Sequence, residues 1–169
     1  AMIKGVTSNG ETVDWEYESG YTTSNTMYTY KDSDDNDKYE LTPVDTASQA
    51  NTAVVDGATV CVGDKTLDAS DKSLLAGNSP YTPVYFADDV KFIFFDDGKA
   101  VVKDGVQKVA SDATNMWVTI EMDGTTAYAT AVYVAGTTSA STTTSDELVF
   151  VKKNSQGQGQ VTVDGKDKT

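Results

Sequence analysis

The stretch Asp88–Val106, DDVKFIFFDDGKAVVKDGV, constrains the fold of this chain more than any other. Asp97-Gly98 separates two runs of apolar β-branched and aromatic residues, and an Asp-Gly dipeptide in that position is a strong short-range hairpin signal. In the first arm Val90, Phe92 and Phe94 occupy one phase of a strand, and Ile93 and Phe95 occupy the other. Both phases are apolar, so the arm is expected inside a sheet that is covered on two sides.

The kind of hydrophobe extends this reading to the whole chain. Its 169 residues include 20 Val and 24 Thr against 5 Leu, and β-branched residues favour strands where Leu favours helices. The expected fold is all-β, with about nine or ten strands, built from antiparallel hairpins as a sandwich or barrel-like sheets with at most one short helix. Residues 1–155 read as one β-rich module, and two subdomains would divide within 45–83. Residues 156–169 read as a flexible tail or the start of a further repeat. Val6–Glu11 and Val161–Lys166 share the pattern V-T-x-[ND]-G-charged, so a second copy would begin near Val161.

Met2–Val44 is expected to hold three strands. Thr12–Glu18 sets Val13, Trp15 and Tyr17 against Thr12, Asp14, Glu16 and Glu18, a half-buried strand with an acidic face. Thr26–Tyr30 and Lys38–Val44 bracket KDSDDND as a hairpin with an acidic tip. Asp56-Gly57 leads into a short strand at Ala58–Val62. Ser70–Gly77 has the end signals of one or two helical turns, with Ser70 as N-cap and Gly77 past the end. Asp104-Gly105 marks a further turn. Met116–Met122 pairs with Thr125–Val134 through Asp123-Gly124, with Trp117 in the phase opposite to Met116, Val118, Ile120 and Met122. Gly136–Ser145 is a polar loop, and Glu147–Lys153 is one more strand.

Charge and missing residue types exclude several functions. The formal net charge is −13, all 13 basic residues are Lys, and there is no His. Nucleic acid and anionic membranes need clustered basic residues, so neither is an expected partner. Without His, neither a Ser-His-Asp nor a Cys-His arrangement can form, and His-ligated metals are excluded. Cys61 is the single cysteine and lies between Val60 and Val62, which suits a buried small hydrophobe. Carboxylate chemistry survives in principle, but 26 acidic residues single out no pair. No apolar run approaches the roughly 18 residues of a membrane span. Ala1-Met2 reads as a cut start, from which a signal or an anchor could have been removed.

Two constellations remain. Asp32, Asp34, Asn36 and Asp37 supply oxygen ligands at nearly alternate positions, which is what calcium requires of a short loop, and calcium is the one cofactor the chain offers ligands for. Asp37 stands where an EF-hand needs Gly, and Pro43 where it needs Glu; a hairpin tip that merely stays solvated would have the same composition. Trp15, Tyr17, Tyr28 and Tyr30 fit a carbohydrate-binding platform, with Glu16 near to accept hydroxyl hydrogen bonds. Period-two alternation places Trp15 and Tyr17 together on the apolar side of their strand, which favours an inward, core-forming face over a platform.

VKFIFFDDGKAVVKDGV and WVTIEMDGTTAYATAVYVAG together resemble the β-rich repeat modules of S-layer-homology-domain-containing cell-surface proteins of Gram-positive gut bacteria. The resemblance covers the second half of the chain and, less closely, the opening strands. It implies a non-catalytic structural or adhesive module, extracellular and associated with the cell envelope. Its partners would be cell-wall or host glycans or other surface proteins. The family offers no catalytic motif to carry over. A carbohydrate-binding module is the alternative.

Overall fold

The computed structural model describes residues 1–7, 12–22, 26–48, 55–68, 70–75, 83–96, 99–138, 143–144, 149–153 and 159–163, with side chains over 1–3, 13–22, 26–48, 55–68, 70–74, 83–96 and 100–138. Four strands open the chain: β1 (Met2–Thr7), β2 (Thr12–Ser19), β3 (Thr26–Lys31) and β4 (Lys38–Pro43). Seven follow: β5 (Thr59–Cys61), β6 (Ser73–Leu75), β7 (Val84–Asp96), β8 (Lys99–Asp104), β9 (Asn115–Asp123), β10 (Thr126–Ala135) and β11 (Thr143–Thr144). The last two are β12 (Val149–Lys153) and β13 (Gly159–Val163). The protein is all-β, and no helix occurs among the described residues.

The strands form two mixed layers. β1, β12, β13, β3, β4 and β2 join in that order into a closed ring, parallel at β1/β12 and at β2/β4 and antiparallel elsewhere. The other layer runs β11-β8-β7-β10-β9-β5, with β6 paired to the beginning of β7. Its central pair, β7/β10, is parallel. Hairpins therefore build much of the fold, and three parallel pairs tie them together.

The β7/β8 hairpin has the expected register, with Asp96 opposite Lys99, and the Asp97-Gly98 turn lies outside the described residues. Phe92 and Phe94 are buried in the larger core of the open sheet, packed with Val84, Val90, Met116, Val118, Ile120, Val132 and Val134. Ile93 and Phe95 are buried on the opposite face with Cys61, Trp117, Ala131 and Tyr133. Met27 of β3 and Val44, just past β4, pack into that second cluster. The barrel thus covers one face of the hairpin. Leu74 of β6, Val62 and Leu67 of the β5–β6 connection, and Val109 and Ala113 of the β8–β9 connection help to cover the other.

In the β9/β10 hairpin Asp123 pairs with Thr126, which places Gly124-Thr125 at the centre of the turn. Gly124 has φ +61°, as a type II′ turn requires of its first central residue. Trp117 lies opposite in phase to Met116, Val118 and Ile120, as the alternation demands.

Several elements differ from the sequence reading. Met2–Val44 holds four strands rather than three, because Met2–Thr7 pairs with β2; Gly5 in the middle of MIKGVT weakens its local strand signal. The Ser70–Gly77 segment is not helical over its described residues. Ser73–Leu75 are β6, and Leu74 is fully buried in the larger core. Edge pairing with β7 and burial of one leucine prevail over capping signals that are worth about 1 kcal/mol. Gly159–Val163, read as tail or repeat start, form β13 between β12 and β3. β7 begins at Val84 and passes through Asp88-Asp89, where a register shift against β10 accommodates the acidic pair.

Candidate functional site

Strand alternation sends Trp15 and Tyr17 of β2, Tyr30 of β3, and Tyr39 of β4 to the same side, where they pack around buried Ile3, Tyr28 and Leu41. The rings rest on one another. Trp15 lies 4.5 Å from Tyr30 and 4.4 Å from Tyr39 between ring centroids, and Tyr30 meets Tyr39 edge-on at 5.4 Å. Tyr17, Tyr21 and Tyr28 continue the series at 5.6 and 6.4 Å.

All four aromatics proposed from the sequence as a sugar platform therefore come together, but as barrel lining. Tyr28 is fully buried and its hydroxyl is 3.0 Å from the donating Thr22 amide and 2.8 Å from Thr22 Oγ1. It has no face to offer a ligand. Trp15, Tyr17 and Tyr30 are half-buried. Burial raises the pKa of Tyr30, with Tyr39 adding to the effect. Burial also raises that of Tyr39, helped by the charges of Asp37 and Asp32.

The acidic tip between β3 and β4 is organised by its own backbone. The Asp32 carboxylate accepts the Asn36 and Asp37 amides at 3.1 and 3.0 Å, and Asn36 Oδ1 accepts the Lys38 amide at 3.0 Å. Asp35 and Asp37 take left-handed backbone, φ 50° and 58°. Asp32 and Asn36, two of the four residues proposed as calcium ligands, thus have side chains turned to the loop itself. Asp34 instead meets Glu18 and Glu40, and the ligand oxygens of these three lie within 4.8 Å of one another. The Ser33 amide donates to Glu40 Oε2 at 3.1 Å and holds that carboxyl below its ordinary pKa. Glu18 and Glu40 come from β2 and β4, which are neighbours only through the parallel pairing, so no local spacing could reveal the trio.

On the larger-core side of the open sheet lies an open concavity of about 280 Å³, lined by Asp71, Lys72, Phe86, Asp88, Gly105 and Val106. Asp71 Oδ2 accepts the Asp68 amide at 2.7 Å, so this carboxylate serves the turn beside β6. Asp88 is exposed. Cys61 is buried, its thiol donates to Asn115 Oδ1 at 3.0 Å, and burial raises its pKa. A thiol so placed is a structural donor.

The opposite face of the same sheet carries a feature the sequence reading missed. Ser73, Tyr85, Tyr128 and Glu121 stand in register on the adjacent strands β6, β7, β10 and β9. Tyr85 is 42% exposed. Both tyrosines occupy the phase of their strands that alternates with core residues: Val84 precedes Tyr85, and Ala127 and Ala129 flank Tyr128. An aromatic in the polar phase of an alternating strand is the signal that would have found them.

No protein-family model, no curated protein and no solved structure matches this chain.

Proposed function

We propose that this chain is a non-catalytic structural or adhesive module of an exported bacterial cell-surface protein. One observation supports the structural part above the others. Barrel and sheet are locked together at the connection between them, where Trp117 Nε1 donates to the Asp45 carbonyl at 3.1 Å and Asn115 Nδ2 to the Thr46 carbonyl at 2.9 Å. Val44, just before this connection, packs into the cluster that Trp117 helps to build. A stiff two-layer unit suits a part that spaces or presents something. A surface charge of −13 favours solubility and separation from like-charged neighbours.

Envelope location is tested by raising antibodies against the purified chain and labelling intact cells that express the parent gene. The reading requires surface labelling that brief external protease treatment removes. Signal seen only after permeabilisation overturns it. The non-catalytic part is tested by incubating the chain with polysaccharide and peptide substrates; turnover that Asp88→Asn abolishes would refute it.

A further inference from the structure

The row Ser73–Tyr85–Tyr128–Glu121 crosses four adjacent strands on one face of the open sheet. Its orientation follows from the neighbours along each strand. Leu74, Val84, Ala127, Ala129 and Ile120 are buried in the larger core, and Phe86 and Met122 pack against it. The residues that alternate with them must point the other way. Farther along the same face, Trp117, Ile93 and Tyr133 are covered by Met27 and Val44 of the barrel side. At the row itself Tyr85 and Glu121 are exposed, and Ser73 and Tyr128 are half-buried.

This placement is unusual for the molecule. Among the described residues only Val55 and Tyr85 are large hydrophobics classed as exposed, and Tyr85 has a second tyrosine as its in-register neighbour. Acidic and hydroxyl groups continue the strip: Asp123 opposes Thr126 two residues beyond the Glu121–Tyr128 pair, on the same face. Strands lie about 4.8 Å apart, so Tyr85, Tyr128 and Glu121 span on the order of 10 Å.

We infer that Tyr85, Tyr128 and Glu121 form a contact strip for a pyranose glycan that is neutral or amino-substituted. Sugar rings present apolar C–H faces that rest on tyrosine rings, and their hydroxyls donate to carboxylates. Charge selects the class. A chain of net charge −13 with carboxylates beside the tyrosines repels sulfated, phosphorylated or uronic polymers, and an ammonium group would be attracted to Glu121 and Asp123. A cross-strand tyrosine pair that only stabilises the sheet would have the same register, and binding separates the two roles. The inference rests on the adhesive reading above, but it is measured on the purified chain, whereas that reading is decided by cell labelling, so each can fail alone.

The test is calorimetric titration of the purified chain with oligomers of glucose, mannose, xylose, N-acetylglucosamine and glucosamine, with polygalacturonate as the anionic control. Binding of at least one neutral or amino oligomer is expected, with none to polygalacturonate. Tyr85→Thr and Tyr128→Thr should each weaken that binding at least tenfold while the circular-dichroism spectrum stays unchanged. If glucosamine oligomers bind, Glu121→Gln should weaken them more than the neutral ones. Failure of every oligomer, preference for polygalacturonate, or binding that survives both tyrosine replacements would overturn the inference. Tyr17→Thr in the barrel controls for indirect effects, because loss of binding in that variant alone would place the contact elsewhere.

Discussion

The indole Nε1 of Trp117 donates to the backbone carbonyl of Asp45 at 3.1 Å, joining the first residues of β9 to the chain that has just left the barrel. Trp117 is fully buried, so its N–H has to find a partner inside the protein. The connection supplies one, and Asn115 holds the next carbonyl along. Trp117→Phe should cost about 2–3 kcal/mol, combining a lost hydrogen bond with a partly emptied site. Asn115→Ala should cost about 1–3 kcal/mol, since its side chain also accepts from the Met116 amide and the Cys61 thiol. Urea denaturation of the double variant should show less than the sum, because both residues act on the same connection.

Gly20 and Gly105 both have left-handed backbone, φ +91° and +80°, yet differ in surroundings. A β-carbon on Gly20 would collide with the Leu41 carbonyl of β4, whereas one on Gly105 meets nothing within 4 Å. Gly105→Ala should therefore cost only the conformational penalty, about 1 kcal/mol. Gly20→Ala should cost about 2–4 kcal/mol, because the collision is with backbone and β2 must move away from β4. Equal losses in thermal melts of the two variants would contradict this account.

Alkaline pH should destabilise the protein in two stages. Burial raises the Cys61 thiol above its ordinary 9.0, and raises the Tyr30 and Tyr39 hydroxyls above 10.0. All three are neutral when protonated, so the unfolded chain releases their protons first. Their stabilisation is complete below about pH 9 and is lost as pH rises from there through the raised values. Urea midpoints measured from about pH 8 to about pH 11 should fall, and Cys61→Ala should remove the earlier part of the fall while leaving the later part.

The acidic tip offers a test of loop geometry. Asp32→Ala removes the acceptor for two backbone amides and should cost about 1–2 kcal/mol. Asp37→Gly relieves a left-handed residue at φ 58° while keeping its amide, so it should leave stability unchanged or raise it by up to about 1 kcal/mol. Hydrogen exchange at the Asn36 and Asp37 amides should quicken in the Asp32 variant.

The legible parts of this fold are those whose information is local. Phe92 to Phe95 announce a strand covered twice, and Gly124 stands in the turn between β9 and β10, so periodicity and turn chemistry agree within a few residues. β1, β6 and β13 were not legible, because each owes its strand state to pairing and burial rather than to its own residue pattern: β12 and β2 hold β1, β7 holds β6, and β3 holds one side of β13. Leu74 makes the point, since capping signals suggested a helix and burial against β7 made a strand. Alternation placed Trp15 and Tyr17 on one apolar face and favoured the inward reading over a platform, and both pack, half-buried, around Ile3, Tyr28 and Leu41. Tyr85 escaped because Asp88-Asp89 resembled the start of the strand rather than its middle.

Ring closure joins Val6 to Phe150 and Tyr28 to Val161, contacts that span most of the chain. The strands β5 to β10 lie between them in sequence and pair mainly with one another. Loop-closure entropy then orders the kinetics: the inner sheet can nucleate from its own hairpins, and the barrel, waiting for segments far apart in sequence, closes last and slowly. During synthesis β1 to β4 would leave the ribosome with an incomplete ring, held open until β12 and β13 arrive. The rate at which native barrel structure returns on refolding should therefore follow changes in β13 far more than changes in the β9/β10 hairpin, as stopped-flow refolding of variants in each would measure.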